Sequence, residues 1–182
     1  MEATLRIIGR KGLDGVTHRA VAAEAGMSLG AVTHHFKTRD IMVDTALRYA
    51  LAREVGRLRA FAFSLQGSAF ELDAWIDALV DWYARELKSE GEIHIACYEA
   101  FLAAARSSRH RGVVEQWFET WRQSAELALR AAGSSEPRSH AELFVAALIG
   151  LLLQQLAMPR RGFRQETKAA LLALVRGLIG NR

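Results

Sequence analysis

One short stretch, Thr17 to Phe36, constrains the fold of this 182-residue chain more than any other part of it. Thr17 has the side-chain oxygen that a helix N-cap requires, and a helical run follows from Arg19 to Ala25. Gly26 stands where that helix should end, at a position that commonly takes the left-handed conformation that glycine tolerates. Ser28 then caps a second short helix. The spacing therefore predicts two short helices joined by a tight turn, a helix-turn-helix.

Apolar residues in this stretch are spaced to hold the two helices together. They are Val21, Ala22, Ala25, Met27 and Val32. The small Ala22 would allow the helix backbones to cross closely. The second helix of such a motif lies in the major groove of DNA, so the pattern favours a DNA-binding protein.

The residues around this core resemble those of TetR-type transcriptional regulators. The matching positions, in the order and spacing of that family, are Gly12, Thr17, Val21, Ala22, Ala25, Gly26, Met27, Ser28, Gly30, His35, Phe36 and Arg39. The specific resemblance covers roughly residues 3–47, and beyond residue 50 only the size and the helical pattern match. It implies an all-α protein with an N-terminal helix-turn-helix DNA-binding domain and a C-terminal helical ligand-binding and dimerisation domain.

Positive charge is concentrated in the N-terminal third of the chain. Residues 1–61 hold ten Lys/Arg against six Asp/Glu, a net charge of +4, whereas residues 62–182 hold fourteen of each and are neutral. An ordinary basic surface is the alternative explanation. Beside the motif, the distribution favours a surface that faces phosphates.

Cysteine usage and apolar runs indicate a cytoplasmic protein with no membrane partner. A single cysteine, Cys97, excludes an internal disulfide framework and is typical of a reducing compartment. The N-terminus has no long apolar segment of the signal-peptide kind. The longest apolar run, Leu143 to Leu153, is eleven residues long, too short for a membrane span, and predicts a buried helix.

The rest of the sequence predicts helices throughout, because no segment alternates like a strand and both prolines lie where helical periodicity lapses. Besides the two helices of the motif, we expect helices near 2–11, 39–61, 70–88, 92–107, 111–132, 139–158 and 164–180. Gln66-Gly67-Ser68 is the softest stretch. We therefore expect a DNA-binding domain at 1–61, with its motif at 17–36, and a helical effector-binding and dimerisation domain at 62–182.

The predicted DNA-contacting residues belong to the motif and the turn after it. They are Thr17, His18, Arg19, Ser28, Leu29, Gly30, Thr33, His34, His35, Lys37 and Arg39. The donor fork of Arg19 matches guanine O6 and N7, although a phosphate contact is an equal alternative. The apolar Leu29 suits a thymine methyl group. The resemblance implies that His35 and Arg39 hold the DNA backbone.

Two features differ from the family pattern. Thr33 replaces the tyrosine of most relatives, and no basic arm precedes the first helix. A helical scaffold or protein-interaction module that has lost DNA binding is therefore the alternative function. An enzyme is disfavoured, because no Ser-His-Asp order, glycine-rich phosphate loop or cysteine pair is visible.

Aromatic residues between 70 and 132 predict a pocket for an apolar or amphipathic small molecule, since such pockets are mostly apolar with a few placed polar groups. The candidate lining residues are Trp75, Trp82, His94, Tyr98, Phe101, Trp117 and Trp121. The alternative is that these aromatic residues are ordinary core. We expect no cofactor. A metal site at His34 and His35 is disfavoured, because neighbouring helix residues do not face each other. Glu90, His94 and Cys97 could form a transition-metal site or a redox switch, but a buried, inert cysteine is the commoner case.

The last two predicted helices are apolar on more than one face, so both sides must be covered. A second subunit is the natural cover, and the resemblance implies a four-helix bundle of these helices with their symmetry mates. The candidate interface residues are Leu148, Leu151, Leu152, Leu171, Leu174 and Leu178. A monomer with these leucines in its core is the alternative. A homodimer would place two recognition helices about 34–36 Å apart on an inverted-repeat operator.

Overall fold

The computed structural model describes residues 1–64, 70–106 and 108–180, and the side chains of residues 1–58 within the first of these ranges. Its helices are α1 (Glu2–Lys11), α2 (His18–Ala25), α3 (Leu29–His35), α4 (Arg39–Ser64), α5 (Leu72–Arg106), α6 (Arg111–Ala131), α7 (Pro137–Ala157) and α8 (Phe163–Gly180). Short 3-10 turns occur at Leu13–Gly15 and Ser108–His110. No strand occurs in these ranges, and the predicted all-α class is confirmed.

Helix α5 differs from the two helices that the sequence predicts at 70–88 and 92–107. It runs as one element with non-helical torsion angles at Glu90 alone, φ −131° and ψ 31°. The predicted interruption near Gly91 is therefore a kink rather than a loop. The predicted soft stretch Gln66-Gly67-Ser68 lies outside the described residues.

The chain forms two compact units, each made of two segments. Unit 1 comprises Met1–Gly56 and Glu90–Trp117, and unit 2 comprises Arg57–Ser89 and Phe118–Arg182. The second part of α5 and the start of α6 group with the N-terminal residues in unit 1. The predicted division into a DNA-binding domain at 1–61 and an effector-binding and dimerisation domain at 62–182 stays a prediction.

Unit 1 is organised around the apolar face of α1. Leu5 and Ile8 are fully buried, together with Met42 and Leu47 of α4. Helix α1 also approaches the second part of α5 very closely, because a Cβ atom built on Gly9 would lie 2.0 Å from the backbone oxygen of Glu92. Only glycine fits at that crossing.

Unit 2 is built on α7 and α8, whose buried side chains include Phe144, Leu152 and Leu171. Helix α7 is long and apolar enough to cross a membrane by length and composition, the only helix of this kind in the described ranges. Core helices of water-soluble proteins meet the same criterion. In α7, the buried side chains of Phe144 and Leu152 belong to the core of the unit.

Candidate DNA-binding surface

The helix-turn-helix forms as the sequence predicts, and hydrogen bonds between residues close in the chain form its two caps. The side-chain oxygen of Thr17 accepts from the backbone N of Ala20 at 3.0 Å, and that of Ser28 accepts from Ala31 at 3.1 Å. Gly26 takes the left-handed conformation, with φ 65° and ψ 29°. Both caps and the glycine turn are thus confirmed, and they fix the angle at which α3 leaves α2.

The core of the motif is smaller than the sequence predicts. Val21, Ala22 and Val32 are buried, but Ala25 is exposed and the Met27 side chain is 46% exposed. The prediction that the latter two hold the helices together is wrong. The buried core of the motif therefore consists of Val21, Ala22 and Val32.

Most of the predicted DNA-contacting residues lie on the outside of unit 1. Arg19, Leu29, His34, His35 and Lys37 are exposed, and the exposed fraction of Leu29 is 45%. Thr17, Ser28, Gly30 and Thr33 are exposed as well. An apolar side chain at the start of α3, flanked by hydrogen-bonding and cationic residues, has the chemistry that reads base edges in a major groove.

Besides the helix caps Thr17 and Ser28, three of the predicted contact residues have hydrogen-bond partners within the described part of unit 1. His18 Nε2 lies 2.7 Å from the carbonyl oxygen of Phe36, which ties the start of α2 to the end of α3. Arg39 donates to the carbonyl oxygens of Val16 at 3.0 Å and Leu13 at 2.6 Å. The hydroxyl of Thr33 donates to the carbonyl oxygen of Leu29 in its own helix at 3.0 Å. His18 and Arg39 therefore position the motif, and their contact with DNA stays a prediction.

Sequence reasoning missed an ionic cluster that joins α1 to α2. Glu24 accepts from Arg6 at 2.9 Å and from Arg10 at 2.6 Å. The hydrogen bonds from Arg10 and Arg6 lower the pKa of the Glu24 carboxyl. The i, i+4 spacing of the two arginines was visible in the sequence, but their shared partner on another helix was not.

A cleft of about 460 Å³ in unit 1 contains a buried histidine that the sequence analysis did not select. The side chain of His110 is 8% exposed, and its Nδ1 has no hydrogen-bond partner among the described residues. Burial is the main cause that lowers the pKa of His110. The carboxylates of Asp44 and Asp40 act to raise this pKa, whereas the cations of Arg109 and Arg39 lower it further. The imidazole is therefore held neutral inside the unit.

Replacing His110 with glutamine is expected to make folding less sensitive to acid. Because the folded-state pKa lies below the unfolded value, the unfolded chain binds the proton first, and stability is lost as pH falls through about 6.5. One proton contributes a slope of at most about 1.4 kcal/mol per pH unit. Urea unfolding at pH 8 and pH 5.5 measures this slope. Equal slopes in His110→Gln and the wild type would contradict the assignment.

The seven predicted pocket residues divide between the two units. His94, Tyr98, Phe101 and Trp117 belong to unit 1, and Trp75, Trp82 and Trp121 belong to unit 2. In unit 1 the rings of Tyr98 and Phe101 are 5.6 Å apart, and those of Phe101 and Trp117 are 6.0 Å apart. Burial raises the pKa of Tyr98. These three rings form a continuous aromatic row.

The hypothesis of a metal site gains no support from the side chains. Glu90 accepts two hydrogen bonds from Arg53, at 2.7 and 2.9 Å, and the thiol of Cys97 donates to the carbonyl oxygen of Ile93. The described ranges place no three His, Cys, Asp or Glu side chains where they could share an ion.

The six leucines predicted at a dimer interface do not share one environment. Leu148, Leu152 and Leu171 are between 0% and 5% exposed, so they belong to the core of unit 2 and leave little surface for a partner. Leu151, Leu174 and Leu178 are half-buried. A helix that is apolar all round does not reveal which of its faces its own chain covers.

The comparisons with known proteins agree with this geometry. The family described as bacterial regulatory proteins, tetR family, matches residues 1–46, and the tetracyclin repressor-like C-terminal domain matches residues 71–181. The HTH-type transcriptional regulator PksA of Bacillus subtilis (strain 168) is 38% identical over 61 residues, 34% of this chain and 30% of PksA. The chain spans between 26% and 53% of the length of these curated relatives.

Solved structures match over nearly the whole chain. A TetR family member from Streptomyces coelicolor A3 has a TM-score of 0.72 at 30% identity, covering 95% of this chain and 94% of that one. The multidrug binding protein EbrR complexed with ethidium has a TM-score of 0.67 at 30% identity, with coverage of 95% and 94%. Members of this family are DNA-binding transcription factors and not enzymes. The chain belongs to the TetR family of bacterial transcriptional regulators.

Proposed function

We propose that the protein is a cytoplasmic homodimer that represses transcription from an inverted-repeat operator and leaves it when a small apolar or amphipathic ligand binds. The observation that carries the DNA-binding part is the exposed surface of α2, α3 and the turn after α3, where Arg19, Leu29 and Lys37 lie outside a buried core. Repression would follow from occlusion of the promoter by the bound dimer.

An exposed apolar stripe on α7 supports the homodimer. Leu143, Ala146, Gly150 and Leu153 recur at i, i+3, i+7 and i+10, which places them on one face of the helix. Leu143 is 52% exposed and Leu153 is 47% exposed. No atom lies within 4 Å of a Cβ built on Gly150, so a partner helix has room to approach.

Helix α8 supports the same arrangement from its exposed side. Ala169, Ala173 and Gly177 are spaced by four residues and are exposed. Small residues at such spacing allow close packing of a symmetry-related helix. Pairing α7 and α8 with those of a second subunit would form the four-helix bundle that the sequence resemblance implies.

The aromatic side chains support binding of an apolar ligand, and the similar structure of the multidrug binding protein EbrR is a complex with ethidium. Helices α4, α5 and α6 each contribute to both units, and α5 has its kink at Glu90, where unit 1 resumes. A ligand that binds unequally to two arrangements of these helices would change the affinity for DNA. Such couplings amount to about 1–3 kcal/mol.

Selection of random double-stranded DNA on the purified protein tests this proposal. Enrichment of an inverted repeat with half-sites about one helical turn apart is expected. Release of that DNA by apolar dyes would then test the ligand response. A pool without any enriched sequence, bound with no dependence on salt, would instead support the scaffold that has lost DNA binding.

Replacing Arg19 with alanine is expected to weaken operator binding at least about tenfold, because a bidentate guanine contact is worth about 1–3 kcal/mol. Fluorescence anisotropy on the selected operator and on point variants of it measures the loss. If Arg19 contacts a guanine, the variant should lose sequence preference at one base pair of the operator. If Arg19 contacts a phosphate, affinity should fall equally for all sequences, and the slope of log affinity against log salt concentration should decrease by about one. Arg138→Ala removes an equal charge from the exposed surface of α7 and should bind like the wild type. Unchanged affinity of Arg19→Ala would contradict the placement.

A further inference from the structure

A basic cleft of about 430 Å³ lies in unit 2, lined by the end of α7, the start of α8 and Ala84, Leu87 and Lys88 of α5. Its cationic side chains are Lys88, Arg160, Arg161 and Arg164, and no described Asp or Glu lines it. A concave surface lined by charges of one sign attracts ligands of the opposite sign. The cleft therefore selects an anion.

The floor of the same cleft is apolar. Leu87, Leu156 and Phe163 line it, and Phe163 is only 4% exposed, so its ring is fixed in the core of the unit. The connection between α7 and α8 is also held in place. Gln155 accepts from the backbone N of Arg160 at 3.0 Å and donates to its carbonyl oxygen at 3.4 Å. Floor and rim are thus formed before any ligand arrives.

The four cations are not equally available. Arg164 donates to Asp81 and Arg160 to Glu166, each at 2.7 Å, so internal carboxylates neutralise both. Lys88 and Arg161 are exposed and have no ion pair or hydrogen bond within the described part of the chain. Two uncompensated cations consequently stand beside an apolar floor.

We propose that this cleft binds a small anionic amphiphile, with a carboxylate between Lys88 and Arg161 and an alkyl chain along Leu87, Leu156 and Phe163. The guanidinium fork matches a carboxylate in two parallel hydrogen bonds, and Lys88 adds a point charge. The volume falls in the lower part of the range of small-molecule sites, roughly 300–1,000 Å³. An inorganic anion would leave the floor unused, and an organic cation would be repelled. The site contains none of the aromatic residues assigned to the repressor's effector, so it stands independently of that function.

Calorimetric titration of the full chain with sodium decanoate, kept below its micelle concentration, tests the proposal. Saturable binding of one decanoate per chain is expected. Acetate should bind at least about tenfold more weakly, because it leaves the apolar floor empty. Decyltrimethylammonium, which has the same alkyl chain and the opposite charge, should not bind at this site. Equal affinity for either comparison compound would overturn the proposal.

Two charge-matched double variants locate the site. Lys88→Ala with Arg161→Ala should lose at least about tenfold in decanoate affinity for each charge-assisted hydrogen bond removed. Arg85→Ala with Arg138→Ala removes the same charge from exposed positions of unit 2 outside the cleft and should bind like the wild type. All four side chains are exposed, so both variants should keep the wild-type melting temperature. Undiminished binding by the first pair, or binding only to anionic phospholipid vesicles and not to free decanoate, would overturn the proposal.

Discussion

Alanine at position 9 is expected to destabilise the protein by about 3 kcal/mol, although alanine is intrinsically the better helix former by about 1 kcal/mol. The added Cβ would lie 2.0 Å from the carbonyl oxygen of Glu92 and 2.7 Å from its carbonyl carbon. Both are backbone atoms, so no side-chain rotation relieves the clash. Helix α1 would have to move away from α5, exposing part of the contact that completes unit 1. A fall of about 6–12 °C in melting temperature, followed by circular dichroism, is the expected result.

Gly56→Ala provides the matched control. Gly56 lies within α4 and is exposed, and nothing lies within 4 Å of a Cβ built on it. This substitution should therefore show helix propensity alone and stabilise the protein by up to about 1 kcal/mol. The two variants carry the same chemical change with opposite expected signs. A Gly9→Ala protein as stable as Gly56→Ala would show that α1 and α5 do not approach as closely as described.

The parts of this fold that could be predicted from sequence depend on interactions between residues close in the chain. The caps at Thr17 and Ser28 bridge three residues, and the left-handed turn at Gly26 is a property of one residue. These local rules are sufficient to define the helix-turn-helix. Its outward surface follows from the same pattern once the buried positions are assigned.

The parts that could not be predicted depend on pairing between distant residues. The arginine at 39 reaches back 26 residues to the carbonyl of Leu13, and the glycine at 9 meets the backbone of Glu92. Neither pairing leaves a periodic signal in the sequence. The non-contiguous composition of unit 1 has the same origin, because helical periodicity identifies α5 without showing that its second half packs with N-terminal residues.

The terminal helices show a related limit. Leu148 and Leu143 are equally apolar in the sequence, yet one is 5% exposed and the other 52% exposed. The distinction arises from which face of α7 packs against α8 within one chain. We therefore propose the stripe around Gly150 as the surface for a second subunit, and it lies about half a helical turn from the buried Leu148 and Leu152.

Glutamate at both Leu143 and Leu153 is expected to convert the proposed dimer to monomers and to reduce operator affinity at least about 100-fold. Each leucine buried at an interface contributes about 1.5–3 kcal/mol to the free energy of dimerisation. In a symmetric dimer every substitution occurs twice at the interface. The glutamates would also leave like charges facing one another across the two-fold axis. Loss of the dimer also lowers the affinity for DNA, because two linked DNA-binding heads that occupy both half-sites bind about 10²–10⁴-fold more tightly than one head. Sedimentation velocity measures the oligomeric state, and fluorescence anisotropy measures the affinity.

Leu127→Glu separates an interface effect from the general cost of a new surface charge. Leu127 is 67% exposed, the most exposed leucine in the described part of the chain, and it lies on α6 rather than on the last two helices. This variant should remain a dimer with wild-type operator affinity. A double variant at 143 and 153 that stays dimeric would place the interface on another surface. A monomer that kept full operator affinity would instead contradict the inverted repeat, because one head would then suffice for the whole of the binding energy.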